Sequence, residues 1–268
     1  MFLEENRYHV PVIVSTGRIL QYLSSYENRK SSLSEISQAL DISKSTCFRI
    51  LRTLEDMNYV SYDKQSKRYS LGSYLVVLGS RALEQLDYLT LGKKYLEKIT
   101  QETGLTTAIV QKVGDERVVY IAKEEADSAV RISVAVGKQF HITQISYGKC
   151  FLAYTSERER MAILSKGLEK MTENTITDVD KYLKELNLVR KRGYATSHEE
   201  YIVGINAVSA PVFRPDGEVL MVLCCLGIAA HFSDEKMHEV GKMIRNAARE
   251  LTSHLDGRMP DTIESETV

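Results

Sequence analysis

The feature that most constrains this chain is a pair of short helical patterns, set close together near its start. Leu33, Ile36, Ala39 and Leu40 recur at helical spacing, Ser34 is placed to cap that segment, and Asp41-Ile42-Ser43 makes a turn. A second helical segment follows at once over residues 44–57, with Phe48, Leu51 and Leu54 as its inner face. Upstream, Ile19, Leu20 and Leu23 mark an earlier helix, and residues 24–32 are polar and turn-like. Two short helices joined by so brief a turn, behind a longer one, form the tri-helical helix-turn-helix layout.

That layout makes a demand on the second helix of the pair. It must present polar and basic side chains near its N-terminus to the major groove of DNA while its apolar face packs on the other helices. Lys44, Ser45, Thr46, Arg49 and Arg52 meet the demand: positions 45, 49 and 52 are spaced for one helical face and 48, 51 and 54 for the other. Arg49 suits a bidentate contact to guanine, and Ser45 or Thr46 suits base edges or phosphate. Next, Tyr59-Val60-Ser61-Tyr62 and Arg68-Tyr69-Ser70-Leu71 flank the polar residues 63–67, a β-hairpin with a basic tip, or wing. Lys64, Lys67 and Arg68 on the wing, with Arg18 on the first helix, are placed to hold phosphates. A basic pair on a helix is ordinarily a solvated face. Here the helices, the wing and the basic residues agree, and their agreement points to a double-stranded DNA operator. The formal net charge of -1 decides nothing, since a local cluster is sufficient.

From residue 72 a helical pattern runs through Leu75, Leu78, Ala82 and Leu86, apolar enough to need a partner along its length, and is expected to link two domains and support dimer contacts. Beyond it an amphipathic helix over 89–103 precedes strand-like runs at 106–113 and 117–122, joined at Gly114-Asp115. Helices are expected at 146–154, 157–164 and 178–192, the last ended by Gly193. Strands at 205–213 and 218–227 meet at Arg214-Pro215-Asp216-Gly217. A final helix, capped at Ser233, carries Met237, Val240, Ile244, Ala247 and Leu251 on one stripe, and the chain beyond Leu255 reads as frayed. The fold class is α+β, in four parts: a winged helix-turn-helix DNA-binding domain at 1–71, a linker helix at 72–88, an effector domain at 89–257 and a flexible tail at 258–268.

Other classes find little support. Cys47, Cys150, Cys224 and Cys225 have no C-x-x-C spacing, which suits a reducing cytoplasm and neither a disulfide framework nor a zinc site. Glu4 and Glu5 stand where a signal peptide would be basic, and the longest apolar stretch, 219–230, falls short of the about 20 residues needed to span a bilayer. No membrane, metal or cofactor is expected. An enzyme would have to use Cys150 or Cys224 as nucleophile with a base in reach, and no G-x-S-x-G, phosphate-loop or metal pattern supports one. A third class is an architectural DNA binder whose second domain only oligomerises.

With these residues placed, the chain resembles the IclR family of bacterial transcription regulators over nearly its whole length. The resemblance rests on Gly17-Arg18-Ile19-Leu20, Leu33-Ser34-Glu35-Ile36, Ile42-Ser43-Lys44-Ser45-Thr46 with Arg49, Leu51 and Leu54, and Tyr69-Ser70-Leu71-Gly72. It continues at Tyr147-Gly148-Lys149-Cys150-Phe151-Leu152-Ala153, Arg190-Lys191-Arg192-Gly193-Tyr194, Glu199, Glu200 and Gly204, and Ser209-Ala210-Pro211-Val212. It implies a winged helix, a linker helix and a GAF-like domain that binds a small-molecule effector, a small organic acid or related metabolite, in dimers that pair into tetramers. The family's effector positions carry over to Ser146, Tyr147, Ser197, Ala207, Cys224 and Leu226. Relatives often have an acid where Ser197 stands and a smaller side chain at Tyr147, which implies a narrower, less polar pocket here. Plainer roles compete: Ser146 as a helix cap, Cys224 and Leu226 as core on one strand face with Cys225 on the other, and His141 held by a local hydrogen bond. His198, Glu199 and Glu200, being consecutive, cannot all face one ion and read as a brace.

Overall fold

The computed structural model describes residues 10–25, 27–84, 87–128 and 131–260. They fall into two compact units, Met1–Asp87 and Tyr88–Val268.

The first unit runs α1 (Pro11–Ser24), α2 (Leu33–Leu40), α3 (Lys44–Asp56), β1 (Val60–Asp63), β2 (Arg68–Leu71) and α4 (Tyr74–Glu84). Proline opens α1, where its missing N–H costs no intrahelical bond. The cap of α2 is Ser32 and not Ser34: Ser32 Oγ accepts from the Glu35 N–H, and Glu35 Oε2 accepts from the Ser32 N–H at 2.6 Å. This is a reciprocal capping box, and Ser34 already lies inside the first turn. Ser43 caps α3 by accepting from the Thr46 N–H at 3.2 Å. The buried stripe of α3 is Cys47, Ile50, Leu51 and Leu54, packed on Ile19, Leu23 and Ile36. Phe48, expected on that face, is 47% exposed. Small Cys47 fills the inward position, and Phe48, about 100° further round the helix, falls outside the stripe.

The wing pairs Val60 with Leu71 through to Asp63 with Arg68. Its tip closes on Asp63, whose carboxylate accepts from the Gln65 N–H at 2.9 Å and the Ser66 hydroxyl at 2.7 Å. The helical pattern read from residue 72 begins only at Tyr74, because Gly72 sits against the Asn58 carbonyl, where a Cβ would lie 2.2 Å from the oxygen. Leu86, counted in that pattern, lies outside the described residues.

In the second unit α5 (Asp87–Thr103) is followed by β3 (Thr106–Val113), β4 (Arg117–Glu124), β5 (Gln139–His141), α6 (Ile145–Tyr154), α7 (Glu157–Leu164), α8 (Val179–Arg192), β6 (Ala195–His198), β7 (Ile205–Phe213), β8 (Val219–Ile228) and α9 (Asp234–His254). The strands form one antiparallel sheet in the order β5-β4-β3-β8-β7-β6. The short edge strands β5 and β6 escaped the sequence reading, since so few residues show no alternation. One face of the sheet carries α6 and α8 over Ala108, Val110, Tyr120, Val222, Cys224 and Leu226. The other takes α5 and α9: Thr100 of α5 bonds Thr107 of β3, and Thr252 of α9 accepts from the Phe213 N–H of β7.

Gly193 ends α8 and Ser233 caps α9 where the sequence placed them, and Asp178, read as the first residue of its helix, is the cap of α8, accepting from the Lys181 N–H at 2.8 Å. On α9 the buried stripe passes through Ala248 and not Ala247. Directly after Leu255 the chain is held and not frayed: Gly257 N–H donates to Thr252 O at 2.8 Å and Arg258 N–H to Arg214 O at 2.9 Å. Residues 261–268 lie outside the described part.

Candidate DNA-binding and ligand-binding sites

Burial on one side of α3 fixes what the other side presents. Lys44, Ser45, Thr46, Phe48, Arg49 and Arg52 are all exposed, while Cys47, Ile50, Leu51 and Leu54 are inside. The cap shapes the start of this face, since Ser43 Oγ also lies 2.9 Å from Thr46 Oγ1 and 3.2 Å from Ser45 Oγ. Arg52 pairs with Glu55 one turn on, at 3.0 Å. The Arg49 guanidinium makes no hydrogen bond or ion pair among the described residues and stands free for a ligand.

The four residues assigned to phosphate divide. Lys64 and Lys67 sit exposed in the wing tip, Lys67 with φ of 55°, and neither has an ion-pair partner among the described residues. Arg68 is engaged: its guanidinium grips both Glu35 carboxylate oxygens, at 3.0 and 3.1 Å, and donates to Lys30 O at 2.7 Å, tying the wing to α2. That pairing and the capping bonds from Ser32 hold the Glu35 carboxyl below its usual range, with the Ser32 backbone bond the largest cause. Arg18 donates to Leu40 O at 2.9 Å and so covers the last turn of α2. Both arginines brace the fold, which sequence spacing had no means of showing.

In the second unit the sheet register gathers the ligand candidates. Ser197 of β6 pairs with Ala207 of β7, Ala207 with Leu226 of β8, and Leu226 with Thr106 of β3, so the three candidates lie in one row. Cys224 belongs to the next row, opposite Ser209. Above them starts α6, and Ser146 Oγ lies 2.7 Å from Ser209 Oγ. Ser146 is therefore not the cap of α6. Gln144 holds that position, with no side-chain bond to the first-turn amides. Ile145 enters the helix with φ of 60°, a strained conformation for a β-branched residue, of the kind that persists where the surroundings over-determine it. Gly148 supplies part of that constraint: the Ile142 carbonyl packs against it, where a Cβ would meet the oxygen at 1.9 Å.

Tyr147 is wholly buried, its ring against Tyr120 and Phe140 at centroid distances of 5.7 and 5.6 Å. Its hydroxyl is buried and makes no hydrogen bond of normal geometry among the described residues, the Tyr120 phenol being the polar group that acts on it most. Burial pushes the phenol well above its ordinary range. The ring occupies the space between α6 and the sheet, so a ligand that enters there displaces it.

Two residues that the sequence reading left without a ligand role hold this region. Lys149 is 1% exposed; its Nζ lies 2.6 Å from Glu200 Oε1 and donates to Thr196 O at 2.9 Å. Thr172 and Thr175 hydroxyls donate to the Glu199 and Glu200 carbonyls, closing the brace expected at those positions. His141 is held locally by Thr143, Nδ1 to Oγ1 2.7 Å, as expected.

The chemistry of the thiols runs against nucleophilic catalysis. Burial pushes Cys224 up to about 12 and raises Cys150 further, so neither is a thiolate near neutrality. Cys150 donates to Ser209 O at 3.3 Å and Cys224 contacts Cys225 O at 3.8 Å, and neither acceptor is a base. Among the described residues no cluster of three or more His, Cys, Asp or Glu is arranged to hold a metal. No described helix is long and apolar enough to cross a membrane.

Comparison with known proteins draws these features together. The IclR helix-turn-helix domain model matches residues 16–64, and the model for the C-terminal domain of bacterial transcriptional regulator IclR matches residues 80–253. The chain is 31% identical over 258 residues to the HTH-type transcriptional regulator KdgR of Escherichia coli K12, covering 94% of this chain and 95% of that one. It is 29% identical over 238 residues to the E. coli K12 transcriptional repressor AllR, covering 88% and 87%. A crystal structure of an IclR transcriptional regulator from Alicyclobacillus acidocaldarius superposes with a TM-score of 0.87 at 40% identity, covering 93% of this chain and all of that one.

Proposed function

The chain belongs to the IclR family of bacterial transcription regulators, and on that premise we propose that α3 reads the operator, the wing holds its backbone, and the sheet face under α6 takes a small carboxylate that changes operator affinity. One observation carries the DNA reading: the exposed side of α3 is basic and polar from its first residue, opposite a fully packed stripe. Arg49 is the base reader, since it is the arginine there with no intramolecular partner among the described residues. Lys64 and Lys67 are the phosphate contacts, Lys44, Ser45, Thr46 and Arg52 support them, and Arg18 and Arg68 serve mainly as braces.

Fluorescence anisotropy with DNA from the chain's own promoter region, between about 50 and 200 mM salt, tests the assignment. Arg49→Ala is expected to cost about 1–3 kcal/mol and to relax base preference at one position. Lys67→Ala is expected to weaken all sequences alike and reduce the salt slope by about one. Identical behaviour of the two variants would show the division to be wrong. Absence of binding by the parent protein at low salt, with and without small acids, would sink the regulator reading.

Phe48 enters this reading only through the structure. An exposed aromatic one turn from both Ser45 and Arg52 suits apolar contact with a thymine methyl. Phe48→Ala is expected to reduce discrimination for thymine at one operator position and leave thermal stability nearly unchanged. A Tm that falls as for a core deletion would contradict this.

For the effector, the uncapped start of α6 offers backbone amides to an anion, and Ser197 and Ser209 supply hydroxyls beside it. Binding there shifts DNA affinity by the difference in ligand affinity between two arrangements of the DNA-binding pair. The exposed Val76, Val77 and Leu78 of α4 and Val12 and Ile13 of α1 support a homodimer in which a second copy covers them, paired again into a tetramer. In this reading the chain is cytoplasmic and not an enzyme, in keeping with its inert thiols.

A further inference from the structure

The far end of α6 from Ser146 borders a different feature. There a cavity of about 440 Å³ opens, lined by Tyr154, Arg190, Asp216, Gly217, Arg258 and Pro260 among others. Its volume lies in the range of small-molecule sites, about 300–1,000 Å³. Arg190 and Arg258 come from α8 and from the anchored segment after α9, and the β7–β8 turn closes one side.

Two more arginines do not line the cavity but stand near residues that do, Arg160 beside Arg190 and Arg249 beside Tyr154. Arg160 of α7 is held below its ordinary value by partial burial and then by the like charge of Arg190. Arg249 of α9 is held down by burial and by Arg245, and the charges of Arg190 and Arg249 both act on the Tyr154 phenol. The acids facing the group are Asp216, whose carboxylate accepts from the Glu218 N–H, and Glu157 beside Arg160. Positive charge is therefore in excess.

The polar atoms here are also unfinished. Tyr154 Oη, Arg160 Nε and Arg249 Nε are all buried without a hydrogen-bond partner among the described residues. Tyr154 is otherwise well seated, edge-on to Phe213 at 4.9 Å. Arg160 and Arg190 are anchored too, by the Thr155 and Ala153 carbonyls. Tyr154 and Arg190 border the cavity itself, and with Arg160 and Arg249 crowding them from outside its lining they form an environment that an anion completes. Planar guanidinium forks match the geometry of carboxylate and phosphate.

We propose that this cavity is a second small-molecule site, separate from the one under the start of α6, and that it takes a small anion bearing phosphate or carboxylate groups. Arg190 and Arg258 neutralise the ligand, the Tyr154 hydroxyl donates to it, and the nearby Arg160 and Arg249 add to the positive field. The site joins α6, α8, the β7–β8 turn and the segment after α9 around one charge, so occupancy stiffens the second unit.

The test uses the full chain, with inorganic phosphate and citrate as probes, in calorimetric titration and thermal shift at ionic strength held constant with sodium chloride. Saturable binding of either probe with a rise in Tm is expected, and the probe preferred distinguishes phosphate from carboxylate chemistry. Arg190→Gln and Arg258→Gln are each expected to weaken binding about tenfold or more, and Tyr154→Phe, which keeps the ring, several-fold. Lys184→Gln, which removes a charge from the exposed side of α8 away from the cavity lining, is expected to leave probe binding unchanged. Should Arg190→Gln fail to fold, Tyr154→Phe and Arg258→Gln decide. No saturable binding by the parent chain, or equal affinity in all folded variants, overturns the proposal.

Discussion

Lys149→Met loses about 3–5 kcal/mol of folding stability, the cost of leaving one member of a buried ion pair without its partner. The geometry places this variant at the severe end. Lys149 Nζ is 2.6 Å from Glu200 Oε1, the side chains are 1% and 10% exposed, and the Thr196 carbonyl takes a second Nζ proton. The methionine matches the aliphatic stem but leaves the Glu200 carboxylate in a dry site with no cation. The double variant Lys149→Met/Glu200→Gln is expected to recover a substantial part of the loss, because the uncompensated charge is removed with its partner. Urea unfolding followed by circular dichroism measures both. A single-variant loss below about 1 kcal/mol would class the pair with exposed salt bridges and remove its role as the anchor of α6.

Tyr147→Ala carries a loss of similar size for a different reason. Truncating a fully buried aromatic ring costs about 3–5 kcal/mol, through lost transfer energy and the cavity left behind. Here the ring packs edge-on to Tyr120 and tilted against Phe140, so those contacts go as well. Tyr147→Phe is the matched control: since the hydroxyl makes no hydrogen bond of normal geometry among the described residues, its removal is expected to change stability by less than about 1 kcal/mol in either direction. The space opened in Tyr147→Ala lies under the start of α6. A small aromatic acid such as benzoate is therefore expected to stabilise that variant more than it stabilises the parent, measured as the ligand-induced rise in Tm. Equal stabilisation of both proteins would place the carboxylate site elsewhere.

The sequence went furthest where local rules govern. The end of α8 at Gly193, the cap at Ser233, the wing flanking residues 63–67, and the long strands β3, β7 and β8 follow from neighbouring residues and a strong period. It went astray where two local signals competed. Ser34 is the cap that spacing suggests, and the reciprocal bond to Glu35 puts Ser32 there instead. Phe48 is the more hydrophobic residue, yet the packing stripe selects Cys47. The three-residue strand β5 and the four-residue strand β6 exist only through their partners β4 and β7.

What the sequence determined by itself was the kind of molecule: a helix with an outward basic face, a basic hairpin beside it and an α+β domain behind, because periodicity and capping act over a few residues. Tertiary structure alone decided how the charges are used. Arg18 and Arg68 turn to carbonyls and to Glu35, Lys149 goes inward to Glu200, and Arg190 and Arg249 come to Tyr154 with Arg160 beside Arg190. Long flexible side chains take their partners from groups far away along the chain, and only the folded arrangement brings those groups within a hydrogen bond's length.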